Sequence, residues 1–166
     1  MRSSVSIVTL QEYEEVMGAQ KLYDLLRSFS CPLNREVELY LKDTSRAVQS
    51  SRMSSSVTYL AFDSKTNDLL GYFTVMMKAY SVRSDALNSA NKRLISRFSE
   101  IDSSGNFTAS VYLIAQIGKN FALPKDCQIE GSELLWAAME VFRATKSAIG
   151  GKLVMIEREA EEPKLL

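Results

Sequence analysis

Apolar residues recur along this chain in two rhythms. Short runs dominated by β-branched and aromatic residues mark strands, and longer stretches with apolar positions three and four apart mark helices. Residues 5–8 read as a short strand, and Thr9-Leu-Gln-Glu12 reads as a capping box, the Thr9 hydroxyl accepting from a first-turn amide while Glu12 reaches back. The helix expected next runs to about Phe29, with Tyr13, Val16, Met17, Ala19, Leu22, Tyr23, Leu26 and Phe29 on one buried face. Pro32 stops it. Asn34 caps a second helix through Val37, Leu39, Tyr40, Leu41 and Ala47, which the polar run 50–56 ends.

Beyond that run the rhythm changes. Residues 57–62 and 69–80 are β-rich and separated by a polar turn, which is a hairpin signal. Residues 83–98 are polar with sparse apolar positions and predict a surface helix or lid, locally positive through Arg83, Lys92, Arg93 and Arg97 against Asp85. This segment is either a solvated face or a contact for an anionic partner. An apolar strand over about 108–118 follows, then a polar loop 119–130, then a helix over about 132–147 that turns Leu134, Leu135, Ala138, Met139 and Phe142 inward. Gly150 and Gly151 end that helix, and residues 152–157 form a last strand. Strand, helix and strand over this length make a right-handed βαβ unit with two parallel strands. The order βααββ(α)βαβ predicts an α/β (α+β) fold in one domain, 1–166, with a mixed sheet and helices on both faces.

The stretch 111–148 organises the chain. A buried strand that passes through a loop into a helix start forms a cradle for an anion, because the first helical amides have no partners inside the helix.

Composition narrows the chemistry. The chain has 166 residues, 20 basic and 20 acidic, two cysteines and no histidine. Cys31 and Cys127 lack CxxC spacing and further ligand types, which argues against zinc, and the lack of histidine removes Ser-His and Cys-His catalysis. A general base must then be a carboxylate, a lysine, an amine terminus or a relayed water. Balanced charge argues against nucleic-acid binding, and the lack of a signal-length or membrane-length apolar segment predicts a cytoplasmic, soluble protein with no membrane partner.

Three segments carry a family likeness: Tyr112-Leu-Ile-Ala-Gln-Ile-Gly-Lys-Asn120, Ile129-Glu-Gly-Ser-Glu-Leu-Leu135 and Ile149-Gly-Gly-Lys-Leu-Val-Met-Ile-Glu157. With Met17-Gly-Ala, Leu25-Leu-Arg-Ser-Phe29 and Leu70-Gly-Tyr-Phe-Thr74 upstream, the chain resembles the GNAT superfamily of N-acetyltransferases, in particular bacterial members of unassigned substrate. The resemblance implies transfer of an acetyl group from acetyl-CoA, or another acyl-CoA, to an amine on a small molecule or protein. It places the pantetheine arm on the backbone of Ile117, Gly118 and Lys119 and the pyrophosphate on the loop that supplies Lys125, Ile129, Glu130, Gly131 and Ser132. Gly118 is expected to mark a bulge that splays the parallel strands.

The loop departs from the family pattern, Gln/Arg-x-x-Gly-x-Gly/Ala. Asp126 and Ile129 stand at the first two fixed positions, leaving Gly131 as the surviving glycine. The family continues with a helix that carries a general-acid tyrosine and with two more strands. Against that pattern this chain reads as C-terminally shortened, with Glu157 as the candidate base. An uncovered fifth strand implies a homodimer or a protein partner on its edge. The alternative function is an inactive GNAT-derived protein that binds a macromolecule.

Overall fold

The computed structural model describes residues 5–43, 46–151 and 153–156. In chain order the elements are β1 (Val5–Thr9), α1 (Leu10–Met17), α2 (Ala19–Ser28), α3 (Arg35–Lys42), α4 (Ala47–Arg52), β2 (Val57–Asp63), β3 (Leu69–Arg83), α5 (Ser89–Ile95), β4 (Asn106–Lys119), α6 (Gly131–Ile149) and β5 (Leu153–Ile156). Five strands form one sheet in the order β1-β2-β3-β4-β5. The first four are antiparallel to their neighbours, and β4 and β5 are parallel, as the strand-helix-strand pattern predicts.

Each face of the sheet carries its own core. On one face Leu60 and Tyr72 meet Leu10, Leu22, Leu26, Phe29, Val37, Leu41 and Val48 from the first four helices. On the other, Phe73, Val75, Tyr112 and Ile114 meet Leu134, Ala137, Ala138 and Phe142 of α6. Tyr112 ties the last unit together: its ring stacks on Phe142 at 5.0 Å between centroids, and its hydroxyl donates to the Gly150 carbonyl.

The capping box at Thr9 forms as expected, with the Glu12 amide donating to Thr9 Oγ1 at 3.1 Å and the Thr9 amide donating to Glu12 Oε2 at 2.8 Å. The helix after it does not run unbroken to Phe29. Gly18, at φ 87° and ψ 156°, occupies a backbone region open essentially to glycine, and it divides α1 from α2. The break rotates the two apolar stripes apart, so Leu22 and Leu26 are buried while Val16 and Met17 face outward. The second predicted helix is likewise two: α3 ends at Lys42, and α4 carries Ala47 and Val48 into the core and runs on through part of the polar stretch to Arg52.

Two further expectations change. The predicted lid, 83–98, is a 3₁₀ turn followed by the seven-residue α5, and neither has a buried residue, so it is an exposed excursion at the tip of the long β3–β4 ribbon. In α6 Leu135 points outward and Ala137 takes the inward place, because the helix begins at Gly131 with Leu134 as its first buried residue.

Candidate active site

Strand β4 has two halves with different neighbours. From Val111 opposite Leu153 to Ile114 opposite Ile156 it is paired on both sides. At Ala115 the register with β3 slips by one residue, Thr74 facing Gln116 while Val75 faces Ile114. Beyond this bulge residues 116–119 pair with β3 alone, and among the described residues their other edge has no strand beside it. The bulge thus falls at Ala115, not at Gly118. Gly118 is needed for close approach instead: a Cβ there would lie 2.5 Å from Val37 Cγ1 and 3.5 Å from the Phe29 ring.

The open edge borders a cleft of about 360 Å³, floored by Ile117, Gly118 and Lys119 and walled by Gly131, Leu134 and Leu135 of α6, by Ile156, and by Cys31, Leu33 and Phe121 from two loops. Four of the residues expected to hold a ligand, Ile117, Gly118, Lys119 and Gly131, therefore share one cavity. Gly131 has open space where a side chain would be, with no atom within 4 Å of a Cβ built on it. The other four separate. Lys125, Glu130 and Ser132 are exposed and are not among the residues lining the cavity, whereas Ile129 is 1% exposed with its side chain in the α6-side core. Glu157 lies outside the described residues.

The α6 N-terminus has donors to spare. The Glu130 amide donates to Glu133 Oε2 at 3.3 Å, and the Glu133 and Leu134 amides are directed at the Glu130 carbonyl. Among the described residues the amides of Gly131 and Ser132 have no hydrogen-bond partner. The local charge is mixed. The Lys119 ammonium lies 4.9 Å from the Phe121 ring centroid and Lys125 stands in a turn nearby, against the carboxylates of Asp126, Glu130 and Glu133. Burial pushes the Cys31 thiol upward, away from the thiolate form, while Cys127 is exposed. Among the described residues no cluster of three metal-ligating side chains forms, and no helix is long and apolar enough to cross a membrane.

Solved structures match this arrangement over nearly the whole chain. AtaT complexed with acetyl-methionyl-tRNAfMet matches with a TM-score of 0.64 and 19% identity, over 95% of this chain and 79% of its own. A mutant of KacT matches with a TM-score of 0.64 and 18% identity, over 96% and 81%. AtaTR bound with AcCoA matches with a TM-score of 0.57 and 19% identity, over 93% and 74%. The chain has the GNAT fold. No family model and no curated protein sequence matches it.

Within this GNAT fold, one residue that sequence patterning missed fixes the far end of the cleft. Asn120, 3% exposed, directly follows β4. Its Oδ1 accepts from the amides of Ser30 and Ala122, its Nδ2 donates to the Leu69 carbonyl, and its own amide donates to the Leu70 carbonyl. The α2–α3 loop, which brings Cys31 and Leu33 to the cavity, is thereby tied to β3 and β4. Glu38 holds the same loop from the other side, accepting from the Cys31 amide at 2.6 Å and from Lys42 Nζ at 2.8 Å. Those two bonds, Lys42 first, hold its carboxyl below the ordinary range. An asparagine at a strand end is an ordinary turn signal, so nothing in the sequence separates Asn120 from the others.

Proposed function

We propose that the chain is an acetyl-CoA-dependent N-acetyltransferase whose acceptor is a primary amine. One observation carries the reading: in a GNAT fold, residues 116–119 of β4 have, among the described residues, no strand on the edge away from β3, and that edge leads past Gly118 to the α6 N-terminus, where the Gly131 and Ser132 amides have no partner among the described residues.

Each part suits one part of the ligand. The backbone of residues 116–119 would take the pantetheine amides as an added strand. The amides of Gly131 and Ser132, with the positive end of the helix dipole, would meet the pyrophosphate, and the space at Gly131 lets it come close. Lys119 and Lys125 offset the nearby carboxylates. When bound, acetyl-CoA supplies an acyl group already activated as a thioester, so the chain's main work is positioning and exclusion of water. The AtaT complex makes the α-amino group of an aminoacyl-tRNA the first acceptor to test. Among the described residues no strand pairs with the outer edge of β5, and such an edge suits association with a second copy or a partner strand.

Calorimetry with acetyl-CoA tests the proposal. Binding by the native chain, lost on Gly131→Tyr while the melting temperature is unchanged, supports it. The absence of heat at millimolar ligand favours the second reading, an inactive scaffold. That reading draws on the burial of Ile129 where the family loop has glycine and on the carboxylates of Asp126, Glu130 and Glu133. Thiol release with an amine panel that includes aminoacyl-tRNA then measures turnover.

A further inference from the structure

A second concavity, about 330 Å³, opens on the α1–α4 side of the sheet, between the start of α1, the end of α4 and the first residues of β2. Its lining is Thr9, Gln11, Ser51, Ser56 and Thr58 with the apolar parts of Val57 and Tyr59. None of these side chains is a carboxylate, an ammonium or a guanidinium. The pocket stands at the height of the β4 bulge: Thr58 faces Thr74, and Thr74 faces Gln116, the residue after Ala115. Two strand spacings, roughly 10 Å, separate β2 from β4.

Two of the lining hydroxyls are anomalous. Ser51 and Ser56 are 9% and 8% exposed, and among the described residues neither Oγ has a hydrogen-bond partner. Thr58, beside them and fully buried, is satisfied by the Thr74 hydroxyl at 2.9 Å. A buried hydroxyl without a partner lowers stability, and alanine at either position would remove the cost. Two such groups lining one pocket are an incomplete hydrogen-bonding site. Each hydroxyl both donates and accepts, which complements a carboxamide with its two N–H donors and one carbonyl. A carboxylate would be desolvated there with no cation in the lining, and an ammonium would meet only the neighbouring Glu12 carboxylate, which is already held by the Thr9 amide and hydroxyl at 2.8 and 2.9 Å.

We propose that this pocket binds an uncharged carboxamide group and selects acceptors that carry one. The acceptor role rests on the acetyltransferase reading; the binding itself does not. The amine to be acylated would then lie about two strands from the carboxamide, at the free half of β4.

The test uses the full chain without acetyl-CoA. Propanamide, sodium propanoate and propylammonium are titrated while backbone amide resonances are followed. Propanamide should give saturable shifts at Ser51, Ser56 and Thr58, with the two charged probes at least about tenfold weaker. The variant Ser51→Ala/Ser56→Ala should bind propanamide at least about tenfold more weakly and yet melt at a higher temperature. The single variant Ser56→Ala should show both effects in smaller measure. No saturable shift with propanamide, equal binding of propanoate, or a lower melting temperature for both variants overturns the proposal. Acetyl-CoA binding without propanamide binding would sink this inference alone, and the reverse result would sink the acetyl-CoA reading while leaving the carboxamide site in place.

Discussion

Asn120 Oδ1 accepts a hydrogen bond from the Ser30 amide at 3.0 Å, joining positions 90 residues apart. Since the same side chain also holds Ala122 and Leu69, Asn120→Ala would leave two amides and a carbonyl without their partner. The expected loss is about 2–4 kcal/mol, read from the urea midpoint. Hydrogen exchange should quicken at Ser30 and Ala122 before the rest of the sheet responds. An unchanged midpoint would mean that the loop is held by other contacts.

Two glycines of the same cleft should respond in opposite ways. Gly118→Ala places a Cβ against Val37 and should cost about 1–3 kcal/mol, with part recovered when Val37 is also made alanine. Gly131→Ala meets no atom and should leave stability within about 0.5 kcal/mol of the native value. Paired denaturation curves for the two variants check this directly. If both are equally damaging, the open space at Gly131 is occupied in solution.

Glu38 gives the protein an acid-side dependence whose sign is fixed. Its carboxyl lies below the ordinary value of 4.5 in the folded chain, first through Lys42 and then through the Cys31 amide. The stability it contributes is therefore fully present above the unfolded-state pKa and is lost as pH falls through the lower, folded-state one. Glu38→Gln should be less stable than the native chain at pH 7, and the gap should close as pH falls below about 4. Urea midpoints over pH 3–7 measure it. A constant gap would place the effect in packing rather than charge.

The two thiols should label in order. Cys127 is exposed, whereas Cys31 is 5% exposed and desolvated toward its protonated form. Iodoacetamide at pH 8 should modify Cys127 in the native chain and reach Cys31 only in denaturant, with peptide mass spectrometry as the readout. Equal rates would show the α2–α3 loop opening on the labelling timescale.

How much of this was legible depends on whether a feature is written in local pattern or in long-range contact. The capping box at Thr9, the hairpin of β2 and β3 and the parallel pair around α6 all rest on neighbours in sequence, and each formed as read. The helix break at Gly18 was also local, but a glycine inside an apolar 3.6-residue rhythm is tolerated often enough that periodicity outweighed it. The cleft floor at Ile117, Gly118 and Lys119 was found through likeness to a family, as was Gly131. Ile129 lies in the loop before α6 as read, but its burial depends on where α6 docks, and Asn120, Ser51 and Ser56 were missed because their partners, or lack of them among the described residues, are set in three dimensions.

The single inserted residue at Ala115 also reverses the parity of β4. Before it, even-numbered side chains, Tyr112 and Ile114, face α6; after it, an odd-numbered one, Ile117, does so, and the even position Gly118 faces Val37 and Phe29. One strand thus serves two cores in opposite phase, with the open edge starting at the seam. Were Ala115 to take an ordinary ladder position instead, Ile117 would be carried to the opposite face and its bulk set against Val37, so the bulge is as strictly required in this strand as the identity of any residue in it.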